Sequence, residues 1–358
     1  MTVMSPGTFE IRTSPHIKAK VTTDVIMRNV VYAMLPVCVF AVWSFGLSAL
    51  ALIVTTTAAC VLTEHLVCRF AGKPTTVADF SAVITGILLA LTLPPGIPLW
   101  MGASGGVIAI LLGKALFGGL GFNTFNPALV ARAFLQAAFP MAMTRWIPPF
   151  VAGRFAQFVP TSLALPFLSP DTKAAALDDY LARAMVDGWT GATPLPMQKY
   201  AGVTTETFDL FAGLVPGSTG ETCAVLILLG GAYLVARGMM NWRITVAMLG
   251  TAYLMSWVFY LVDNSNPTPG FMLFSGGLML GAVFMATDMV ASPTTPLGVW
   301  IYGGLMGFLT ILIRVEGGLP EGVMYAILLG NAVSPIIENL TQPRVFGTRT
   351  AKRQRNEQ

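Results

Sequence analysis

Charge is what this sequence lacks. Of 358 residues, 21 are Lys or Arg and 17 are Asp or Glu, 11% together, where a soluble domain carries about 25%. So few charges cannot cover a water-facing surface, and a soluble globular chain is excluded. Histidine is almost absent. His16 and His65 stand far apart and outside any ligand cluster, which argues against a His pair holding haem in the bilayer. The four cysteines, Cys38, Cys60, Cys68 and Cys223, form no Cys-x-x-Cys pair. The closely spaced thiolates of an iron–sulfur cluster or a structural zinc are therefore missing, and these residues read as small apolar core side chains. What the chain has instead is 54% hydrophobic residues and a mean hydropathy of +0.70. Its net charge of +4 marks no nucleic-acid binder, because the basic residues cluster beside apolar runs. The composition is that of an all-α polytopic membrane protein, with membrane lipid as its surroundings and no nucleic-acid partner.

A helix needs about 20 apolar residues to span a bilayer, fewer when short and buried. Apolar runs near 29–45, 47–67, 77–94, 98–117, 127–143, 221–237, 243–262, 271–288, 297–314 and 321–339 give about ten spans. Residues 1–28 are polar, and a signal peptide would put its apolar core nearer the start, so the first span reads as a retained helix. Small residues such as Gly102, Gly105, Gly106, Gly303, Gly304 and Gly307 would let helices approach closely. Lys and Arg near span ends set orientation. The N-terminus, the loop with Arg69 and Lys73, the loop with Arg237 and Arg243, and the tail with Arg344, Arg349, Lys352, Arg353 and Arg355 are basic. With ten spans these fall on one side, the cytoplasm, Arg314 being the exception on the other. The expected organisation is a cytoplasmic segment 1–28, a first membrane half 29–143, a periplasmic segment 144–220, a second half 221–340 and a basic cytoplasmic tail 341–358.

The halves share an ordered set of residues. Phe80-Ser81 and Gly86 correspond to Phe274-Ser275 and Gly281, Thr92 to Thr287, and Pro95 to Pro293. Gly105-Gly106 corresponds to Gly303-Gly304, Gly118-Gly119-Leu120 to Gly317-Gly318-Leu319, and Asn126 to Asn331. Five spans per half reverse the second half, so the repeats have inverted topology. Such repeats place a site near their pseudo-two-fold axis, where helices break. The expected breaks are Leu93–Gly96, Gly118–Pro127, Ala291–Pro296 and Asn331–Pro335.

One polar stretch stands out in the water-facing segment, Asp187-Gly188-Trp189-Thr190-Gly191-Ala192-Thr193, followed by Pro194-Leu195-Pro196. Taken alone it reads as a turn. The full pattern Asp-x-x-Thr-Gly-Ala-Thr resembles the signature at which a flavin transferase esterifies FMN to a threonine. Together with Thr85–Pro95 (TGILLALTLPP), Gly118–Ala128 (GGLGFNTFNPA), Pro216–Thr222 (PGSTGET) and Ala286–Pro293 (ATDMVASP), it makes the chain similar to the RnfD/NqrB family. That family comprises the D subunits of Rnf ion-translocating oxidoreductases and the B subunits of the sodium-pumping NADH:quinone reductases. The short N-terminal region favours the former. Met289 departs from the pattern, where a Pro is common.

The resemblance implies a bacterial inner-membrane electron carrier with FMN covalently bound at Thr193. Asp187, Thr190, Gly191 and Ala192 would shape the attachment turn. It also implies a second, non-covalent riboflavin within the bundle, near Asn126 and Asn331 at the repeat interface. The implied partners are Rnf subunits A, B, C, E and G, with a flavin transferase for maturation, and electron flow is coupled to Na⁺ or H⁺ movement. Asp79 and Asp288 read either as helix caps or as functional intramembrane carboxylates. The Asn side chains bond broken-helix backbone or a flavin ring. Lys114 is expected to snorkel to the cytoplasmic surface. A secondary transporter would share inverted repeats and broken helices, and a structural anchor would hold no chromophore; the attachment signature separates both from an electron carrier. The Lys/Arg asymmetry yields a direct test. Reporter fusions at residue 355 should read cytoplasmic and fusions near residue 180 periplasmic, and a cytoplasmic signal at 180 overturns the ten-span topology.

Overall fold

The computed structural model describes residues 22–166, 180, 193–221 and 223–343. No strand occurs among them. The first half holds α1 (Thr23–Phe45), α2 (Leu47–Phe70), α3 (Ser81–Thr92), α4 (Leu99–Ile110, continued by a π turn over Leu111–Ala115) and α5 (Pro127–Ala138). A short α6 (Pro140–Met143), α7 (Pro194–Ala201) and α8 (Thr207–Ala212) follow. The second half holds α9 (Ala224–Ala236), α10 (Trp242–Val262), α11 (Pro269–Phe274), α12 (Leu278–Leu280, continued by a π turn over Gly281–Met285), α13 (Pro296–Glu316) and α14 (Val323–Thr341). Five of these, α1, α2, α10, α13 and α14, are long and apolar enough to cross a membrane, and α3, α4 and α9 are shorter apolar helices. The chain is an all-α polytopic membrane protein.

The two remaining expected spans are interrupted. The run at 127–143 turns at Phe139-Pro140, and the run at 271–288 is broken at Ser275–Gly277. Every free carbonyl at such a break needs a donor, because the bilayer supplies no water. Pro94 and Pro95 end α3, and the Leu93 carbonyl accepts from the Thr219 N–H (3.0 Å) and the Thr219 hydroxyl (2.7 Å). The Gly220 N–H donates to the Leu91 carbonyl at 2.8 Å. A Cβ on Gly220 would lie 2.5 Å from that of Leu91, so glycine is what lets the capping loop reach the helix end. Before α5, Gly118, Gly119 and Gly121 take φ of 112°, 110° and 90°, a left-handed path open to glycine. Asn126 then caps the helix, its side-chain oxygen accepting from the N–H groups of Ala128 and Leu129. The break expected at Asn331–Pro335 is absent. α14 runs through Pro335, since a packed bundle tolerates the one lost hydrogen bond and buries Gly330, Asn331, Ser334 and Ile337 along the same face.

The packing follows the repeat. α2 lies against α3 and α4 as α10 lies against α11 and α13, and α4 packs on α5 as α13 packs on α14. Across the halves α1 meets α9, its own counterpart, and α5 meets α14. Elements that touch their own mates are those next to a two-fold axis, so the axis passes between these pairs. In both halves small residues set the spacing. A Cβ on Gly106 would lie 3.0 Å from the Thr56 carbonyl oxygen, and one on Gly303 2.7 Å from the Ile244 carbonyl oxygen and from the Ala247 Cβ. One end of the bundle is covered by the segment after α6. The Phe150 N–H donates to the Ser44 carbonyl (2.8 Å), the Leu47 N–H to the Arg154 carbonyl (3.0 Å), and the Leu99 N–H to the Ser162 carbonyl (3.0 Å). Gly303→Leu should therefore destabilise the bundle by about 1–3 kcal/mol or more through overpacking. Gly304→Ala, which meets only the Thr251 hydroxyl oxygen at 3.4 Å, should be tolerated. Thermal unfolding in detergent followed by size exclusion compares the two.

Candidate functional site

Thr193 sits immediately before α7 in extended conformation (φ −78°, ψ 164°), with Pro194 as the first helical residue. Pro at that position fixes the helix start without losing a bonded N–H. The Thr193 carbonyl accepts the Met197 N–H at 3.2 Å, while its hydroxyl makes no capping bond. α7 is held in place by its far end. The Lys199 ammonium donates to the Gly317 carbonyl and, at 2.8 Å, to the Arg314 carbonyl. The Tyr200 hydroxyl donates to the Gly318 carbonyl at 2.9 Å. A cation on the last carbonyls of α13 is the arrangement that satisfies orphan acceptors and the negative end of the helix dipole. The hydroxyl-bearing residue thereby lines a cavity of about 410 Å³, shared with Arg132, Trp146, Tyr200, Glu321 and Tyr325.

Beneath this cavity lies a charged cluster. Arg132 of α5 is 7% exposed and donates to Glu221 Oε1 at 2.8 Å and to Glu321 Oε2 at 2.5 Å. Glu221 ends the loop that caps α3, and Glu321 lies between α13 and α14. One guanidinium therefore ties the first half to two segments of the second. Arg314 of α13 is also buried, donating to the carbonyls of Met272 (2.5 Å) and Ser275 (2.9 Å) at the break between α11 and α12. This accounts for its exception to the charge pattern. It is consumed inside the protein as a helix-end donor.

A second polar centre lies toward the opposite end. Lys114, in the π turn that ends α4, does not snorkel to the surface. It is 5% exposed and donates to Glu64 Oε1 (2.6 Å) and Ser81 Oγ (2.5 Å). Its amine lies within reach of a buried carboxylate, and an ion pair formed in a low dielectric outcompetes a lone ammonium stretched past apolar neighbours. The Thr76 hydroxyl donates to the same Glu64 oxygen, and Glu64 Oε2 is buried without a partner. Asp79 is a cap, accepting from the Ser81 N–H (2.8 Å) and hydroxyl (2.5 Å). Asp288 accepts the Val290 N–H at 3.0 Å. Between these groups, where the halves meet, is a cavity of about 100 Å³ lined by Lys114, Asn123, Asn126, Asp288 and four methionines, Met27, Met239, Met240 and Met289.

Residues 10–347 match the family described as NQR2, RnfD, RnfE. The chain is 41% identical over 352 residues to the D subunit of the proton-translocating ferredoxin:NAD(+) oxidoreductase complex of Clostridium ljungdahlii, covering 95% of this chain and 97% of that one. It is 40% identical over 351 residues to the D subunit of the Na(+)-translocating ferredoxin:NAD(+) oxidoreductase complex of Acetobacterium woodii, with 96% and 97% covered. A third relative, the D subunit of the ion-translocating oxidoreductase complex of Halorhodospira halophila, is 36% identical over 347 residues, with 94% and 95% covered. The chain belongs to the NQR2, RnfD, RnfE family.

In this family member the fold brings Asn126 and Asn331 together. With the Asn331 amide turned so that its nitrogen faces the Tyr302 hydroxyl (2.6 Å) and the Ile327 carbonyl (3.3 Å), its oxygen accepts the Asn126 N–H at 3.1 Å. The Asn126 amide nitrogen donates to the Met285 carbonyl at 3.4 Å. Thr193 is far from this pair in the chain and has Arg132 and Glu321 as cavity neighbours instead. Asp187, Thr190, Gly191 and Ala192 lie outside the described residues. Sequence reasoning passed over Arg132, Glu221, Glu321 and Glu64. The signal was available, since Arg132 and Glu64 stand inside apolar runs, where a charge must find a partner or a function. Removing one partner of a buried pair strands the other. Arg132→Ala should cost about 3–5 kcal/mol, read as a loss of folded protein on size exclusion, whereas exchange of the exposed Arg145 for Ala should leave the elution profile unchanged.

Proposed function

We propose that this chain is the membrane-embedded flavoprotein subunit of an Rnf-type electron-transport complex, passing electrons between ferredoxin and NAD with coupled movement of Na⁺ or H⁺. The observation that carries the reading is Thr193. Its hydroxyl is free of capping duty, and the residue, 9% exposed rather than open on the surface, stands at a helix N-terminus and lines a cavity walled by Trp146, Tyr200 and Tyr325. The volume of about 410 Å³ lies in the range of small-molecule sites, and aromatic walls suit a planar ring system. A phosphodiester on Thr193 would put negative charge where the α7 dipole favours it, with the Arg132 guanidinium in the same wall. FMN, when bound, supplies the redox chemistry. The chain's own residues anchor it, exclude water and fix the surrounding charges. At this exposed end of the bundle a dissociated flavin would be lost to solvent, and a tether keeps it at high effective concentration beside its redox partners.

The repeat-interface cavity is the proposed place of the non-covalent riboflavin. Its present volume of about 100 Å³ is room for a few waters. The wall, however, is rich in methionine, an unbranched side chain that gives way to an incoming ring. Asn126 and Asn331 would act there by holding the helix ends that frame the cavity. The partners of this reading are Rnf subunits A, B, C, E and G and a flavin transferase. The bacterial inner membrane is its location, with both termini cytoplasmic and Thr193 periplasmic.

Thr193→Ala removes one hydroxyl that caps nothing, so the fold should survive. The variant should lose the fluorescent band on a denaturing gel and electron transfer through the complex, while Thr193→Ser retains part of both. Peptide mass spectrometry on the segment between Arg183 and Lys199 decides the point. An FMN-sized addition on Thr190, or none in protein co-expressed with the transferase, refutes the assignment.

A further inference from the structure

A second large cavity, of about 380 Å³, lies between the start of α4 and the α5–α6 turn, and it shares no lining residue with the Thr193 cavity. Its floor is Trp100, Met101, Phe139 and Ala142. Trp100 and Phe139 meet edge to face at 5.4 Å. At its rim stands Arg145, which is exposed and makes no ion pair among the described residues. The adjacent Trp146 turns the other way, into the Thr193 cavity, so the two cavities are separate. Around the groove the surface stays apolar, with Met141 70% exposed and Leu163 58% exposed.

We propose that this groove binds one anionic phospholipid, an acyl chain lying on Trp100, Met101 and Phe139 and the headgroup phosphate paired with Arg145. Three observations single out this occupant. The groove opens where α4 begins and α5 ends, the depth at which Trp side chains settle between hydrocarbon and headgroups. Among the described residues no carboxylate lines it, so a cation is left facing outward, a match for a phosphate and a repulsive neighbour for a choline. An apolar helix from another protein seated on the same floor would cover the guanidinium without a counter-charge, which is costly. The groove is thus built for an amphiphile with one negative group.

The test uses the purified full chain in detergent with equal amounts of phosphatidylglycerol and phosphatidylcholine, and native mass spectrometry counts the lipid retained. One phosphatidylglycerol should remain bound in preference to phosphatidylcholine. Arg145→Ala should lower its retention about tenfold, the loss expected for one charge-assisted hydrogen bond. Ala142→Trp, which fills the floor, should abolish retention of both lipids, and circular dichroism checks that the variant is helical. Equal retention of the two headgroups, an unchanged Arg145→Ala variant, or displacement of the lipid by excess inorganic phosphate each overturns the proposal. So does a cross-link from position 142 to another subunit in the assembled complex.

Discussion

The structure depends on one buried arginine. Arg132 stands in a helix among apolar neighbours and is 7% exposed, so its guanidinium is largely withdrawn from water. Its charge must be met by protein, and the two carboxylates that meet it come from distant places, Glu221 and Glu321. The ion pair is a poor source of net stability, because desolvation offsets much of the attraction. What it does is fix geometry. The α3-capping loop and the α13–α14 turn each bring one carboxylate to the fork, and Arg132 and Glu321 also line the Thr193 cavity.

Backbone satisfaction supplies the second constraint. Where prolines and glycines interrupt the spans, each break exposes carbonyls that lipid cannot serve. The solutions use segments from elsewhere in the chain: Thr219 and Gly220 for α3, Arg314 for the break before α12, Lys199 and Tyr200 for the end of α13. Stretches that look like independent motifs in the sequence are therefore coupled. The Pro-Gly-Ser-Thr-Gly-Glu run is a helix cap followed by an ion-pair partner, and the Gly-Gly-Leu after α13 presents the carbonyls on which α7 is seated.

Much of this was legible beforehand. Apolar runs located the helical stretches, two of which the structure breaks into shorter helices, and the ordered Phe-Ser, Gly-Gly and Asn matches pointed to a repeat that the helix contacts follow. Asn126 and Asn331, separated by most of the chain, meet where the repeat put them. Three things were hidden. Pro335 reads as a helix break, yet burial of the flanking turns carries α14 across it. Lys114 reads as a surface lysine by its position near a span end, and only the fold shows Glu64 one helix away. The Arg132 cluster is invisible to pattern reading because its partners lie 89 and 189 residues further on. Local sequence specifies helices and caps, but the choice between a snorkelling charge and a paired one is made by tertiary contacts.

The repeat also explains how one scaffold makes two unlike ends. Each half places a cation near the end of its fourth helix, Lys114 in one and Arg314 in the other, and each reaches the serine that follows the matched phenylalanine, Ser81 or Ser275. The chemistry then diverges. Arg314 spends its donors on backbone carbonyls and locks a helix break shut. Lys114 pairs with Glu64, whose second oxygen is left without a partner, beside the cavity between the halves. An inverted duplication alone would give both ends the same character. One carboxylate in α2, with no carboxylate in α10, gives the Lys114 end a buried ion pair where the Arg314 end has a backbone clamp.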